Sequence, residues 1–339
     1  MRKRLRYSLL MIAALATGQS YAQGLHFSQF YNAPLLLSPA NTALMPDNDF
    51  RIGVNYRNQW NNVPAPFHTF SAYGDFQAFR NSNHTNWLGI GGAIFNDRAG
   101  NGDLSLLKAQ ISAAYHLQMG EYNMFSIGLG AAFVQRSVNF GKLTFDTQWD
   151  GFTFNPTTPN GESYSFQKTS YADITAGVNY AYFPNENVYL KLGVGLLHIN
   201  RPKESFYKMD NKLGMRPTGN LDMLFKVSDS WIADISAYYT YQKGATELVY
   251  GGLFTYNVSP REKIPNIFIL GVYHRMSDAI IPVLGFEWNK IRVTASMDVP
   301  ISGMSPATGA NGAFELSLVY QGIYGSRSVN RSSYNCPRF

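Results

Sequence analysis

The sequence predicts an all-β protein: a closed antiparallel transmembrane β-barrel of about 14 strands with an N-terminal plug-like segment. Three observations lead there. Runs of about ten residues alternate apolar with polar or small side chains, the period of a strand whose two faces meet different surroundings. Beyond the N-terminus no stretch of about 18 apolar residues exists that would cross a bilayer as a helix. The connections between runs are short on one side and long on the other, as in outer-membrane barrels. Composition agrees. The 339 residues include 23 Phe, 22 Tyr and 5 Trp but only 15% charged side chains, and the mean hydropathy is −0.18. That is too aromatic and too weakly charged for a disordered chain. A single cysteine, Cys336, excludes an internal disulfide framework.

Residues 1–22 read as a secretory signal peptide. Arg2, Lys3, Arg4 and Arg6 precede the apolar stretch Leu9 to Ala16, and Ser20-Tyr21-Ala22 offers small residues at the cleavage site. Its removal takes away four basic residues and no acidic one, which lowers the formal charge from +6 to +2. The basic pI of about 9.2 is therefore partly the export signal, and no nucleic-acid partner is expected. Residues 23–49 follow as an N-terminal periplasmic or plug segment, 50–322 as the barrel, and 323–339 as a C-terminal periplasmic tail. The expected location is the outer membrane.

Strand-like runs fall at 50–60, 67–77, 87–96, 104–119, 122–136, 169–183, 186–198, 216–228, 231–243, 246–258, 265–276, 279–289, 290–299 and 311–322. The clearest is Ile291, Val293, Ala295, Met297 and Val299 on one face against Arg292, Thr294, Ser296 and Asp298 on the other. Lengths near 9–11 residues suit tilted membrane strands. Tight connections at Gly120-Glu121, Pro184-Asn185, Asp229-Ser230 and Asn289-Lys290 lie on one side, and the long loops 137–168, 199–215 and 300–310 on the other. Tyr56, Trp60, Phe95, Tyr122, Tyr182, Phe183, Trp231, Tyr256, Trp288 and Tyr320 sit near strand ends, where interfacial girdles form.

In a bilayer every backbone polar group must be paired within the protein, so a spanning sheet closes on itself. Its outer face is then apolar and its inner face is free to be wet. The second face of these runs carries Arg51, Arg57, Asp173, Lys191, Asp222, Lys226, Asp234, Glu287, Arg292, Asp298 and Glu315. Charges in a dry core are very costly unless paired, so these residues are expected to face the lumen.

Catalytic patterns are missing from the sequence. It holds no G-x-x-x-x-G-K-[ST], H-E-x-x-H or G-x-S-x-G, and its six histidines lack metal-ligand spacing. No enzyme, cofactor or metal is expected. Gly128-x-Gly130 and Gly193-x-Gly195 read as thin lumen-facing positions inside strands, not phosphate loops. Asp97 to Asp103 reads as a solvated hairpin tip, since a calcium loop would need a twelfth-position Glu and flanking helices.

The stretch from Phe27 to Asn41 is apolar, aromatic and turn-rich, and its prolines disfavour a continuous helix. Phe27, Phe30, Tyr31, Pro34, Leu35 and Pro39 are its candidate plug or partner-contact residues. Phe27-Ser28-Gln29-Phe30-Tyr31-Asn32-Ala33-Pro34-Leu35 followed by Ser38-Pro39-Ala40 resembles the opening of the PorP/SprF family of Bacteroidetes type IX secretion outer-membrane proteins. Tyr56-Arg57-Asn58-Gln59-Trp60, Tyr273-His274-Arg275 with Asp278, Phe314-Glu315-Leu316 and the closing Cys336-Pro337-Arg338-Phe339 are similar to other stretches of that family. Asn32-Ala33-Pro34 replaces its contiguous Asn-Pro, and Thr294 to Asp298 replaces a Tyr-Ser-Tyr-Asp run.

The resemblance implies a non-enzymatic accessory that supports secretion or surface attachment of large cargo such as gliding adhesins. The implied partners are a type IX secreted adhesin or its C-terminal sorting domain, periplasmic ring and peptidoglycan-linked components, and outer-membrane lipid. Contacts are expected on Phe27–Asn41, on loops 137–168 and 199–215, and on the tail from Gly322 to Phe339. A porin-like channel for small solutes is the alternative; a barrel lipase and a soluble β-sandwich are further rivals.

Overall fold

The computed structural model describes residues 24–45, 48–60, 66–81, 85–100, 102–159, 167–206, 210–259, 266–302 and 312–324. The signal peptide, Cys336 and most of the tail lie outside the described residues. Fourteen strands run in order: β1 Phe50–Gln59, β2 Phe67–Ala78, β3 Asn86–Ala99, β4 Leu104–Met119, β5 Asn123–Ser137, β6 Lys168–Asn185, β7 Val188–Leu197, β8 Arg216–Lys226, β9 Trp231–Gln242, β10 Ala245–Asn257, β11 Ile267–Arg275, β12 Ala279–Trp288, β13 Ile291–Pro300 and β14 Ala313–Gly322. Each pairs antiparallel with its sequence neighbours, and β1 closes on β14 in a ten-residue register from Phe50↔Gly322 to Gln59↔Ala313. Closure leaves the sheet without an edge, which is what hydrocarbon demands of backbone amides.

The period-2 pattern sorts the side chains. Outward positions carry Ile111, Leu129, Leu270 and Leu284, each more than 60% exposed. Inward neighbours such as Ser126, Thr175, Ser236, Thr294 and Ser317 are buried. An apolar girth of this extent is far larger than a soluble monomer shows to water, and acyl chains are its natural solvent. Leu129 lies midway along β5. Leu129→Arg is therefore expected to destabilise the barrel in lipid vesicles by about 2–4 kcal/mol, read from urea titrations. A neutral or stabilising effect would contradict the membrane-facing assignment.

Tight turns fall where the backbone permits them. Asn289 and Lys290 both take positive φ, 49° and 67°, the geometry of a two-residue hairpin turn that matches strand twist. Several boundaries shift by one or two residues from the sequence expectation, and two differences have a reason in the pairing. β3 runs on to Ala99, because Asp97 and Arg98 pair with Thr69 and His68 of β2 beyond the apolar band. β6 continues through Pro184 and Asn185 with a register shift after Tyr182, so the turn falls at 186–187. Two girdle residues are also corrected. Phe95 and Phe183 are 1% and 2% exposed and face inward; they sit one position out of phase with the lipid face, and strand parity overrides proximity to the end.

Candidate functional site

The N-terminal segment enters the barrel instead of lying beside it. Pro34 and Pro39 open single helical turns, Pro34–Leu37 and Pro39–Asn41, where a missing N–H costs nothing. Ser38 caps the second turn by accepting from the Ala40 amide at 3.2 Å. Phe27, Phe30, Pro34, Leu35 and Pro39 are buried and Tyr31 is half-buried. Phe30 stacks on Tyr238 and meets Tyr273 edge-on, while Tyr31 stacks on Tyr273. Phe27 and Leu35 pack with inward-facing Tyr73, Ala93 and Phe95.

At the long-loop end the segment is held by a buried charge network. Glu315 accepts from two successive amides, Ser28 at 2.6 Å and Gln29 at 2.9 Å. The Ser28 hydroxyl donates to Asp298 at 2.7 Å and accepts from Arg57 at 2.7 Å and from Arg275. Arg57 pairs with Asp298 at 2.9 Å and with Glu315. Arg275 pairs with Asp298 at 2.9 Å, with Asp278 at 3.0 Å and with Glu247 at 3.3 Å. Four of the five inner charged side chains are no more than 4% exposed and Arg275 is 5% exposed. Inside so little water these charge-assisted bonds are short and directional. Gln29 then donates to Ser296 at 3.0 Å and Asn32 to Thr294 at 3.0 Å.

Further down, Gln110 and Thr218 donate to the carbonyls of Leu35 and Leu37. Towards the short-turn end His116 Nε2 lies 2.8 Å from the Thr42 carbonyl, which can only accept. Its Nδ1 therefore accepts from the Ser126 hydroxyl, 2.7 Å away. Trp87 donates to the Ala43 carbonyl at 2.9 Å, and Asp75 accepts the Ala43 amide at 2.7 Å while pairing with Arg51 at 2.6 Å. The segment thus crosses the barrel from the long-loop end at Gly24 to the short-turn end, where β1 begins.

Inward-facing glycines make room for this path. A Cβ on Gly128 would lie 2.5 Å from the Pro39 carbonyl carbon and the Ala40 nitrogen, and one on Gly89 would lie 2.2 Å from the Thr42 oxygen. Only a residue without a side chain permits such approach of backbone to backbone.

The remaining sequence candidates are dispersed. Lys191 pairs with Asp222 at 2.7 Å and Arg292 with Glu287 at 2.8 Å. Asp173 holds His198 at 2.9 Å and Lys108 at 3.6 Å. Lys226 reaches the turn residue Asp229 at 3.1 Å. Asp234 Oδ1 is buried without a hydrogen-bond partner among the described residues. Sequence reasoning did not single out Asp75, Lys108, His116, Arg216 or Glu247 as site residues, although inward parity marks each one. Two cavities, of about 420 and 520 Å³, flank Gly24 and Leu25 at the long-loop end.

The family model of the type IX secretion system membrane protein PorP/SprF matches residues 19–320. The chain belongs to the PorP/SprF family. Stretches that carry the resemblance meet at the charge network: Ser28 and Gln29 from the opening, Arg57 from Tyr56–Trp60, Arg275 and Glu315 from the C-terminal half. No curated protein matches this PorP/SprF chain in sequence. In structure it is similar to a mutant of the TodX monoaromatic hydrocarbon channel, with TM-score 0.52, 10% identity, and coverage of 85% of this chain and 93% of that one. The Ralstonia pickettii toluene transporter TbuX gives TM-score 0.52, 10% identity and 86% and 94% coverage. A Pseudomonas aeruginosa FadL homologue gives 0.50, 12%, and 84% and 92%. At such identities the likeness concerns the fold alone. Family and fold together place the protein in the outer membrane.

Proposed function

We propose that this protein is a non-enzymatic scaffold of type IX secretion whose lumen is stoppered by its own N-terminal segment. It supports secretion or surface attachment of a large cargo such as a gliding adhesin, and it contacts the periplasmic machinery. The observation that carries this reading is the continuous bonding of residues 28–45 to the inner wall, from Glu315 and Asp298 at one end to Asp75 and Trp87 at the other. A segment held at so many points leaves little to conduct through. It also makes Phe27–Asn41 a poor docking surface for another protein, because its side chains are spent inside the barrel. The partner surfaces favoured here are the long loops, where Trp149 and Phe152 are 54% and 90% exposed, and the tail beyond the barrel. The signal peptide 1–22 is taken as cleaved on export.

A small-solute channel is the second reading, and the two cavities beside Gly24 favour it. Planar bilayers decide between them. The intact protein is expected to be electrically silent, and a variant lacking residues 24–45 to conduct. A steady ion-selective current from the intact protein would instead establish the channel. Deletion of the gene is expected to abolish surface display of the cognate adhesin, and unimpaired display would remove the secretion role.

A further inference from the structure

The cavity of about 420 Å³ at the long-loop end has a lining that its resident ion pairs do not exhaust. Leu25, Leu36, Leu106, Val134, Leu197 and Leu213 form its apolar part. Its charged lining is Lys108, Arg136, Arg216 and Lys243 against Asp173 and Glu204, a net charge of +2 with His198 neutral. Both carboxylates are engaged. Asp173 faces His198 and Lys108, and Glu204 lies 3.0 Å from Arg136 and accepts from the Tyr171 hydroxyl at 2.8 Å.

Two lining cations, Lys243 and Arg216, have no carboxylate within ion-pair distance among the described residues. Lys243 is exposed, whereas Arg216 is buried, at 6% exposed. Among the described residues the Arg216 guanidinium donates only to neutral oxygens, Thr240 Oγ1 at 3.0 Å, the Tyr238 hydroxyl at 3.0 Å and the Leu25 carbonyl at 3.5 Å. Glu247, cross-strand from Thr240, is taken by Arg275. A Cβ on Gly24 would lie 2.6 Å from one terminal nitrogen of Arg216, so the segment passes directly over the cation. A buried cation with no carboxylate in contact is costly, and an apolar pocket with a buried charge of this kind is a common form of ligand site.

We propose that this cavity binds a monocarboxylate carried on a flexible apolar chain, with the carboxylate on Arg216 and the chain among the leucines. The planar guanidinium suits a carboxylate, and its remaining N–H groups supply the donors. A free fatty acid and the apolar C-terminus of a peptide share this chemistry, and the test separates them. The site goes beyond the scaffold reading and does not depend on it.

The experiment is equilibrium dialysis of radiolabelled decanoate against the full mature protein in nanodiscs, with empty nanodiscs subtracted. One saturable site per barrel is expected, unaffected by decanol as competitor. Arg216→Gln is expected to weaken binding at least tenfold. Leu213→Trp, which fills the apolar part from a half-buried loop position and leaves every charge in place, is expected to do the same. A trileucine peptide acid that displaces decanoate when its amide does not identifies the peptide terminus as the source; displacement by longer fatty acids alone identifies the lipid. Absence of saturable binding, or binding that both variants leave unchanged, overturns the proposal.

Discussion

Replacing Arg57 with Met is expected to destabilise the folded barrel by about 3–5 kcal/mol, the usual cost of removing one partner from a buried ion pair. The side chain is 2% exposed and joins Asp298 and Glu315, so its loss strands carboxylates that β13 and β14 have brought together in a dry interior. Asp298 keeps Arg275, but Glu315 is left with only the Ser28 and Gln29 amides. Arg57→Lys is expected to recover little of this, since a single ammonium cannot span Ser28, Asp298 and Glu315 as the planar fork does. The measurement is the urea midpoint of unfolding in lipid vesicles, with an Arg57→Met, Glu315→Gln double variant alongside. The double variant should lose less than the sum of its singles, because the stranded charge has been removed as well. Additive losses, or a midpoint unchanged in Arg57→Met, would show that the network does not act as a unit.

Gly128→Val is expected to dislodge the N-terminal segment without unfolding the strands. The new Cβ would stand 2.5 Å from the backbone of Pro39 and Ala40, and backbone cannot swing aside as a flexible side chain can. Overpacking of this kind costs about 1–3 kcal/mol. The strands keep their ladder, so the cheaper response is movement of the turn Pro39–Asn41, with loss of the Asn179–Asn41 and Ser112–Thr42 contacts that hold it. In planar bilayers the variant should show conductance that the parent lacks. Gly219→Val is the control, because a Cβ there meets nothing within 4 Å. Equal behaviour of the two variants would show that the glycine at 128 is not needed for the luminal path.

Much of the fold was legible locally. The alternation in Ile291–Val299 assigns each side chain to a face because a strand reverses its side chains at every residue, whatever it packs against. The same rule covers Ser126 through Ala132. Phe95 and Phe183 obey it too and face inward, although each lies near a strand end where a girdle would form. The sequence also marked Gly128 and Gly130 as thin inward positions, but it gave no sign of what would approach them. The charge network was legible only in pieces. Arg57, Asp298 and Glu315 stood out as charges on the inner face, yet nothing in the chain states that residues 241 and 258 positions away from Arg57 are its partners.

Local sequence is enough to show that the chain alternates greasy and polar faces over about fourteen runs, and that its opening stretch is apolar and aromatic. These are properties of neighbouring residues, written in backbone periodicity and composition. Tertiary contacts alone run the opening stretch down the inside of the barrel, seat Ser28 between Arg57 and Arg275, and leave Arg216 facing a cavity with no carboxylate in contact among the described residues. The enclosure depends on closure of β1 against β14, which brings the first and last strands side by side. Pairing across a closed wall is a property of the circle and is absent from any single strand.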